Sequence, residues 1–179
     1  MTVNVTKPAI NLRSELAQLK LTGPTISHIL SDALATNALN WSAARRNLPV
    51  AQSIAHATWT ILAYNTLDYD NLGELDATGR FTATAAGKYS VNARSLLAFS
   101  AWPASKAFEI GVFKNGTAVA YGERWNTMAA TTTYATTGIN TTISLAAGDY
   151  IDLRVIQNQG GTVNTLAGTQ NWLAINRVS

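Results

Sequence analysis

The chain has 179 residues, 47% hydrophobic and only 13% charged, which suits one folded domain plus an arm and excludes a multidomain enzyme or a charge-rich disordered tail. Thirteen Lys and Arg against ten Asp and Glu leave a net charge of +3, and only Arg45 and Arg46 stand adjacent, so the gathered basic face that nucleic acid requires is missing. There is no cysteine, which removes disulfides, thiolate chemistry and zinc fingers.

Met1 to Pro8 carries neither a basic n-region nor an apolar h-region, and no run approaches the ~18 apolar residues of a membrane span, so neither a secretion signal nor a span is expected. Leu12, Leu16 and Leu19 form one stripe of a short helix that Thr22-Gly23-Pro24 ends. A second series, Ile26, Leu30, Leu34, Asn37, Trp41, Ala44 and Leu48, keeps close to helical spacing until Pro49 stops it. Helices this short are marginal alone, so their stripes require a partner surface, on their own domain or on another chain. Residues 1–57 are therefore predicted to form a helical attachment arm, with Leu12, Leu16, Leu19, Ile26, Leu30 and Leu34 as its docking residues.

From Thr58 the sequence turns rich in Thr, Tyr, Val and Gly, with period-two alternation. Thr58 to Tyr64 reads as a strand, Asp68 to Gly79 as an acidic loop, and Arg80 to Ala83 as a second strand. Beyond Ala86-Gly87, Tyr89, Val91, Ala93 and Leu97 alternate with Asn92 and Arg94, so one face is core and the other is wet or an interface. Phe108, Ile110 and Val112 alternate up to Asn115-Gly116, a pair suited to the positive φ angles of a tight hairpin, and the chain returns through Val119 and Tyr121. Thr141 to Leu145, a turn at Ala146 to Asp149, and a strand with Ile151, Leu153 and Val155 on one face follow. Thr162 to Leu166 and Trp172 to Ile175 close the domain, giving eight to ten short strands and no helical interruption. Residues 58–179 are predicted to be a mainly β, antiparallel sandwich.

Catalytic and metal-binding readings find little support. His28 and His56 are the two histidines, and neither has a partner at ligand spacing. Across Asp68, Asp70, Glu74 and Asp76 the pattern of a calcium loop fails, because Leu72 and Gly79 occupy its fifth and twelfth positions. Gly160-Gly161 precedes a Thr-rich strand rather than a helix, so it lacks the dipole that holds a phosphate. No catalytic residue, metal or cofactor is expected. For ligand binding the sequence nominates Trp102 and Trp125, with Arg124 and Tyr134 nearby, because Ala101-Trp102-Pro103 and Arg124-Trp125-Asn126 fall where strands end and a tryptophan would stand exposed.

The ordered set Phe81-x-x-x-x-Ala86-Gly87-x-Tyr89, Phe113-Lys114-Asn115-Gly116 and Leu145-x-x-Gly148-Asp149-Tyr150-x-x-Leu153-x-Val155 resembles the globular head of complement subcomponent one-q and its tumour-necrosis-factor-like relatives. Trp59 and the stretch from Tyr64 to Gly79, leading into Arg80-Phe81-Thr82-Ala83, resemble the bacterial and phage versions of that head. The resemblance implies an antiparallel jelly roll that assembles as a homotrimer and presents loops as a non-enzymatic recognition surface. "KPAINLRSELAQLK" and "SAARRNLPVA" look like N-terminal segments of tailed-phage fibre and virion proteins that precede such heads.

Together these readings lead to an expected virion structural protein: a trimeric knob, head fibre, tail fibre or capsid decoration. It would be anchored by its arm to capsid, neck or tail proteins, with a host-surface or glycan contact at its head. It would meet no nucleic acid and no membrane. The alternative is a bacterial secreted or surface lectin-like binding module.

Overall fold

The computed structural model describes residues 41–179, and these form twelve strands. In chain order they are β1 (Ala43–Asn47), β2 (Ser53–Ile54), β3 (Thr60–Ile61), β4 (Thr66–Asp70), β5 (Arg80–Thr82) and β6 (Gly87–Trp102). They continue with β7 (Ala107–Lys114), β8 (Thr117–Asn126), β9 (Thr131–Leu145), β10 (Tyr150–Gln157), β11 (Val163–Asn164) and β12 (Trp172–Arg177). The first sheet runs β4-β1-β12-β6-β9, the second runs β3-β10-β7-β8 with β5 also on β10, and β2 pairs β11. Each of these strand pairs is antiparallel. Because β1 lies beside β12 and β6 beside β9, the chain crosses repeatedly between sheets, which is the jelly-roll winding.

The core lies between the sheets and follows from alternation. Tyr89, Val91 and Leu97 of β6 and Leu173 and Ile175 of β12 face Ile110 and Val112 of β7 and Ile151, Leu153 and Val155 of β10. All ten are fully buried, and each large aliphatic or aromatic side chain so placed contributes about 1.5–3 kcal/mol. Tyr64 is buried with its hydroxyl unpaired within the described residues, and burial pushes that hydroxyl far above the usual phenol range.

The Asn115-Gly116 hairpin is as the sequence predicts. Lys114 pairs with Thr117, and φ is 49° at Asn115 and 85° at Gly116. The hairpin is tied to the Ala146 to Asp149 turn: Asn115 Nδ2 donates to Asp149 Oδ1 at 2.7 Å, and Lys114 Nζ lies 2.7 Å from Asp149 Oδ2. These donors, with the Ala146 N–H, hold the Asp149 carboxyl down at about 2.

Ten of the strands, β3 to β12, lie within residues 58–179, in keeping with the eight to ten expected, but not all are short, since β6 has 16 residues and β9 has 15. A larger correction concerns the boundary. Trp41, Ala44 and Leu48 fit a helical stripe in the sequence, yet Ala43–Asn47 is a strand hydrogen-bonded between β4 and β12, and Ile54 of β2 is fully buried. Residues Trp41–Ser179 form one compact unit, so the head begins at Trp41 rather than Thr58. "SAARRNLPVA", read from the sequence as part of the arm, is therefore a strand and turn of the head. Leu12, Leu16, Leu19, Ile26, Leu30 and Leu34 lie outside the described residues.

Candidate functional site

The four residues nominated for ligand binding do not converge on one surface. Trp102, expected at an exposed strand end, is 1% exposed, with its ring edge-on to Trp125 at 4.9 Å between centroids. The cause is a β-bulge. Inward-facing residues of β6 are Tyr89, Val91, Ala93, Ser95 and Leu97, so unbroken alternation would turn residue 102 outward, but pairing with β9 shifts between Leu97 and Ser100. The shift turns Trp102 in and Phe99 out, to 59% exposure. Trp125, opposite Phe108 across β7 and β8, is half-buried against the core. Both tryptophans are packing residues first. Arg124 points the other way, onto the outer face of the second sheet, and Tyr134 stands on the outer face of the first.

The acids of the loop after β4 are occupied in holding backbone. Asp70 accepts the N–H groups of Leu72, Glu74 and Leu75, and Asp76 accepts those of Thr78 and Arg80 together with the Thr78 hydroxyl. Burial works to raise the Asp76 carboxyl, but the Thr78 and Arg80 hydrogen bonds and the Arg80 charge outweigh it, and the net direction is downward. Glu74 is buried and accepts from Ser42 and from both the N–H and hydroxyl of Thr84. Among the described residues, no three His, Cys, Asp or Glu are grouped to hold a metal ion. His56 Nδ1 accepts the Gly160 N–H at 3.2 Å, which gives it a role in the turn, and His28 lies outside the described residues.

The outer face of the first sheet carries three aromatic side chains, of which Phe99 and Tyr134 are exposed among the described residues and Trp172 is half-buried. Trp172 of β12 faces away from the core, with the Arg45 guanidinium 5.2 Å from its ring, and Arg45 also pairs with Asp68 at 3.0 Å. Along the same face, Phe99 and Tyr134 meet edge to face at 5.2 Å, both about half exposed. Nearer Trp172, the residues Asn92, Gly138 and Asn140 of this face and Tyr121, Gly122 and Glu123 of β8 border a concavity of about 500 Å³.

The outer face of the second sheet carries a groove of about 330 Å³, lined by Trp59, Glu109, Tyr121, Arg124, Ile156 and Asn158, with Ala107 and Gln157 behind. With Phe108, Ile110 and Val112 turned inward, Glu109, Gly111 and Phe113 must face this side, and bulges in β8 bring Tyr121 and Arg124 to the same face. Trp59 leans on Phe113 at 5.3 Å and on Tyr121 at 5.9 Å. Phe113 is capped on its other side by Arg154 at 4.2 Å, whose guanidinium is held by the fully buried Asp152 at 2.6 Å. That hydrogen bond raises the Arg154 pKa still further, so its charge is permanent. Of the nominated residues the groove includes only Arg124. The signal the sequence offered was Phe113, an aromatic residue at an outward position of β7, which requires other side chains to cover part of this face.

No protein-family model and no curated protein matches the sequence. Solved structures do match. Eiger TNF from S. frugiperda superposes with a TM-score of 0.56 at 11% identity, over 78% of this chain and 93% of that one. Murine APRIL at pH 5.0 superposes with a TM-score of 0.55 at 12% identity, over 78% of this chain and 100% of that one. The globular domain of zebrafish complement 1qA reaches 0.49 at 11% identity, over 78% and 96%. The first two establish that the described residues have a tumour-necrosis-factor-like fold of two antiparallel sheets.

Proposed function

We propose that this protein is a structural component of a phage virion: a homotrimeric jelly-roll knob, fibre or decoration spike. Its N-terminal segment binds capsid, neck or tail proteins, and its head meets host-surface glycan. The observation that carries self-association is the strip on the outer face of the first sheet, where Phe99 and Tyr134 stand exposed among the described residues and Trp172 is half-buried under Arg45. Copies packed around one axis remove that strip from water, at about 25 cal/mol per Å² of apolar area. Threefold closure is what the resemblance to tumour-necrosis-factor-like heads implies. The virion setting is what the resemblance of "KPAINLRSELAQLK" to phage attachment segments implies.

The chemistry of the head is binding rather than catalysis. Glu109 is paired with Arg124 at 3.2 Å and Asp152 with Arg154 at 2.6 Å, so neither carboxylate is left as a general acid or base. Sedimentation equilibrium tests the assembly. A mass near three chains is expected at micromolar concentration, falling to one chain in Tyr134→Glu, which places a charge in the strip. A wild-type protein that sediments as a stable monomer overturns the reading.

A further inference from the structure

We infer that the groove between Trp59, Tyr121 and the Glu109–Arg124 pair is a binding site for an uncharged saccharide, an assignment that rests on the recognition-head reading above and gives it a place and a ligand class. One wall is aromatic and one is polar. Trp59 and Tyr121 meet at 38°, forming a shallow V, and Trp59 is fixed from behind by Phe113, itself held by Arg154. A ring fixed before binding loses little entropy on binding. Gly111 lets the Trp59 ring settle close onto β7, since a Cβ there would stand 3.4 Å from Trp59 Cη2 and 3.3 Å from the Phe113 ring.

Opposite the rings, Glu109 accepts from Arg124 Nη1 at 3.2 Å, and Arg124 Nε reaches Asn126 Oδ1 at 3.3 Å. Asn158 Oδ1 takes the Ala107 N–H at 2.6 Å, which fixes the amide and leaves its NH₂ group as a donor among the described residues. Gln157, by contrast, is occupied by Ile54, Gly161 and Gln159. The combination suits a pyranose, which offers C–H groups on one face and hydroxyls around its rim: the face lies on aromatic rings, and the rim meets a carboxylate, a guanidinium and an amide.

Charge decides between classes of sugar. The Glu109 and Arg124 charges cancel, and Glu109 is only 18% exposed. A carboxylated or sulfated ligand that took Arg124 would strand Glu109 partly buried and unpaired, which is costly. The volume of about 330 Å³ stands at the lower end of ligand sites, ~300–1,000 Å³, so the groove takes a terminal sugar or a disaccharide rather than a long chain.

The test uses the full chain and saturation-transfer NMR with glucose, galactose, mannose, N-acetylglucosamine and their disaccharides, alongside glucuronic and N-acetylneuraminic acids. At least one neutral sugar is expected to bind with quenching of tryptophan fluorescence. Tyr121→Ala and Trp59→Ala are each expected to weaken it about tenfold, ~1.4 kcal/mol. Tyr121 is 61% exposed, so that variant reports on binding even where Trp59→Ala disturbs the fold. Glu109→Gln is expected to admit the acidic sugars. Preference of the wild type for the acidic sugars, binding untouched by both aromatic variants, or no neutral sugar bound at millimolar concentration each overturns the assignment. Sedimentation on the same samples separates the two claims: a trimer that binds no neutral sugar removes the groove and leaves the assembly, whereas a sugar-binding monomer does the reverse.

Discussion

Trp102 and Trp125 touch edge to face, yet one is sealed in the sandwich and the other sits at its margin. Trp102→Ala removes a full aromatic from a closed interior and is expected to cost about 3–5 kcal/mol, read as a lowered denaturation midpoint. Trp125→Ala is expected to cost about 1–3 kcal/mol, because part of its surface is already wet. Asp149 offers a pH test with a definite sign. Its carboxyl is held at about 2 in the fold against an ordinary value of about 3.9, so its contribution is full above about pH 4 and is lost as pH falls toward 2. Replacing it as Asp149→Asn should flatten the stability profile within that window, measured by urea unfolding at successive pH values.

Strands show which parts of the fold were legible in the sequence. Alternation placed Phe108, Ile110, Val112, Ile151, Leu153 and Val155 inward, and Asn115-Gly116 gave the hairpin, because each is decided by neighbours within a few residues. The strand β1 was not legible: Ala43-Ala44-Arg45-Arg46 favours helix locally, and Trp41, Ala44 and Leu48 keep helical spacing, but pairing with β4 and β12 overrides that preference. Bulges were equally silent. One extra residue reverses which side chains face in, so Trp102 went to the core, and Val119 and Tyr121 stand exposed on β8. The groove was largely hidden for the same reason, its members coming from β7, β8, β10 and the residues next to β3 and β10. Gly122 marks where β8 is drawn against β9: a Cβ there would run into the Gly138 carbonyl oxygen and come within 2.8 Å of Ile139 Cβ. Gly122→Ala is therefore expected to push the two strands apart and destabilise the head by about 1–3 kcal/mol, seen as a lowered melting temperature and faster amide exchange along β8.

For the molecule as a whole, the position of β1 decides where the head can be cut. A chain starting at Trp41 keeps all twelve strands of the described residues and is expected to fold and to assemble like the full protein. A chain starting at Val50 loses the strand between β4 and β12 and is expected to give no cooperative thermal transition by circular dichroism. The same pair of truncations tests attachment, since the first should yield a folded head that no longer incorporates into particles. Full incorporation without residues 1–40 would overturn the role proposed for that segment.

Seated as it is between two partners, β1 also determines how the head withstands a pull. Tension carried by the chain ahead of Trp41 enters the sandwich at a strand stitched along both of its edges, to β12 from Ala43 to Asn47 and to β4 from Ala44 to Asn47. A tether joined to an outer strand would peel away one rung at a time. Here the rungs on two flanks, together with Ala44 and Leu48 beneath, resist extraction, so such a load would be borne by the fabric of a sheet rather than by its hem.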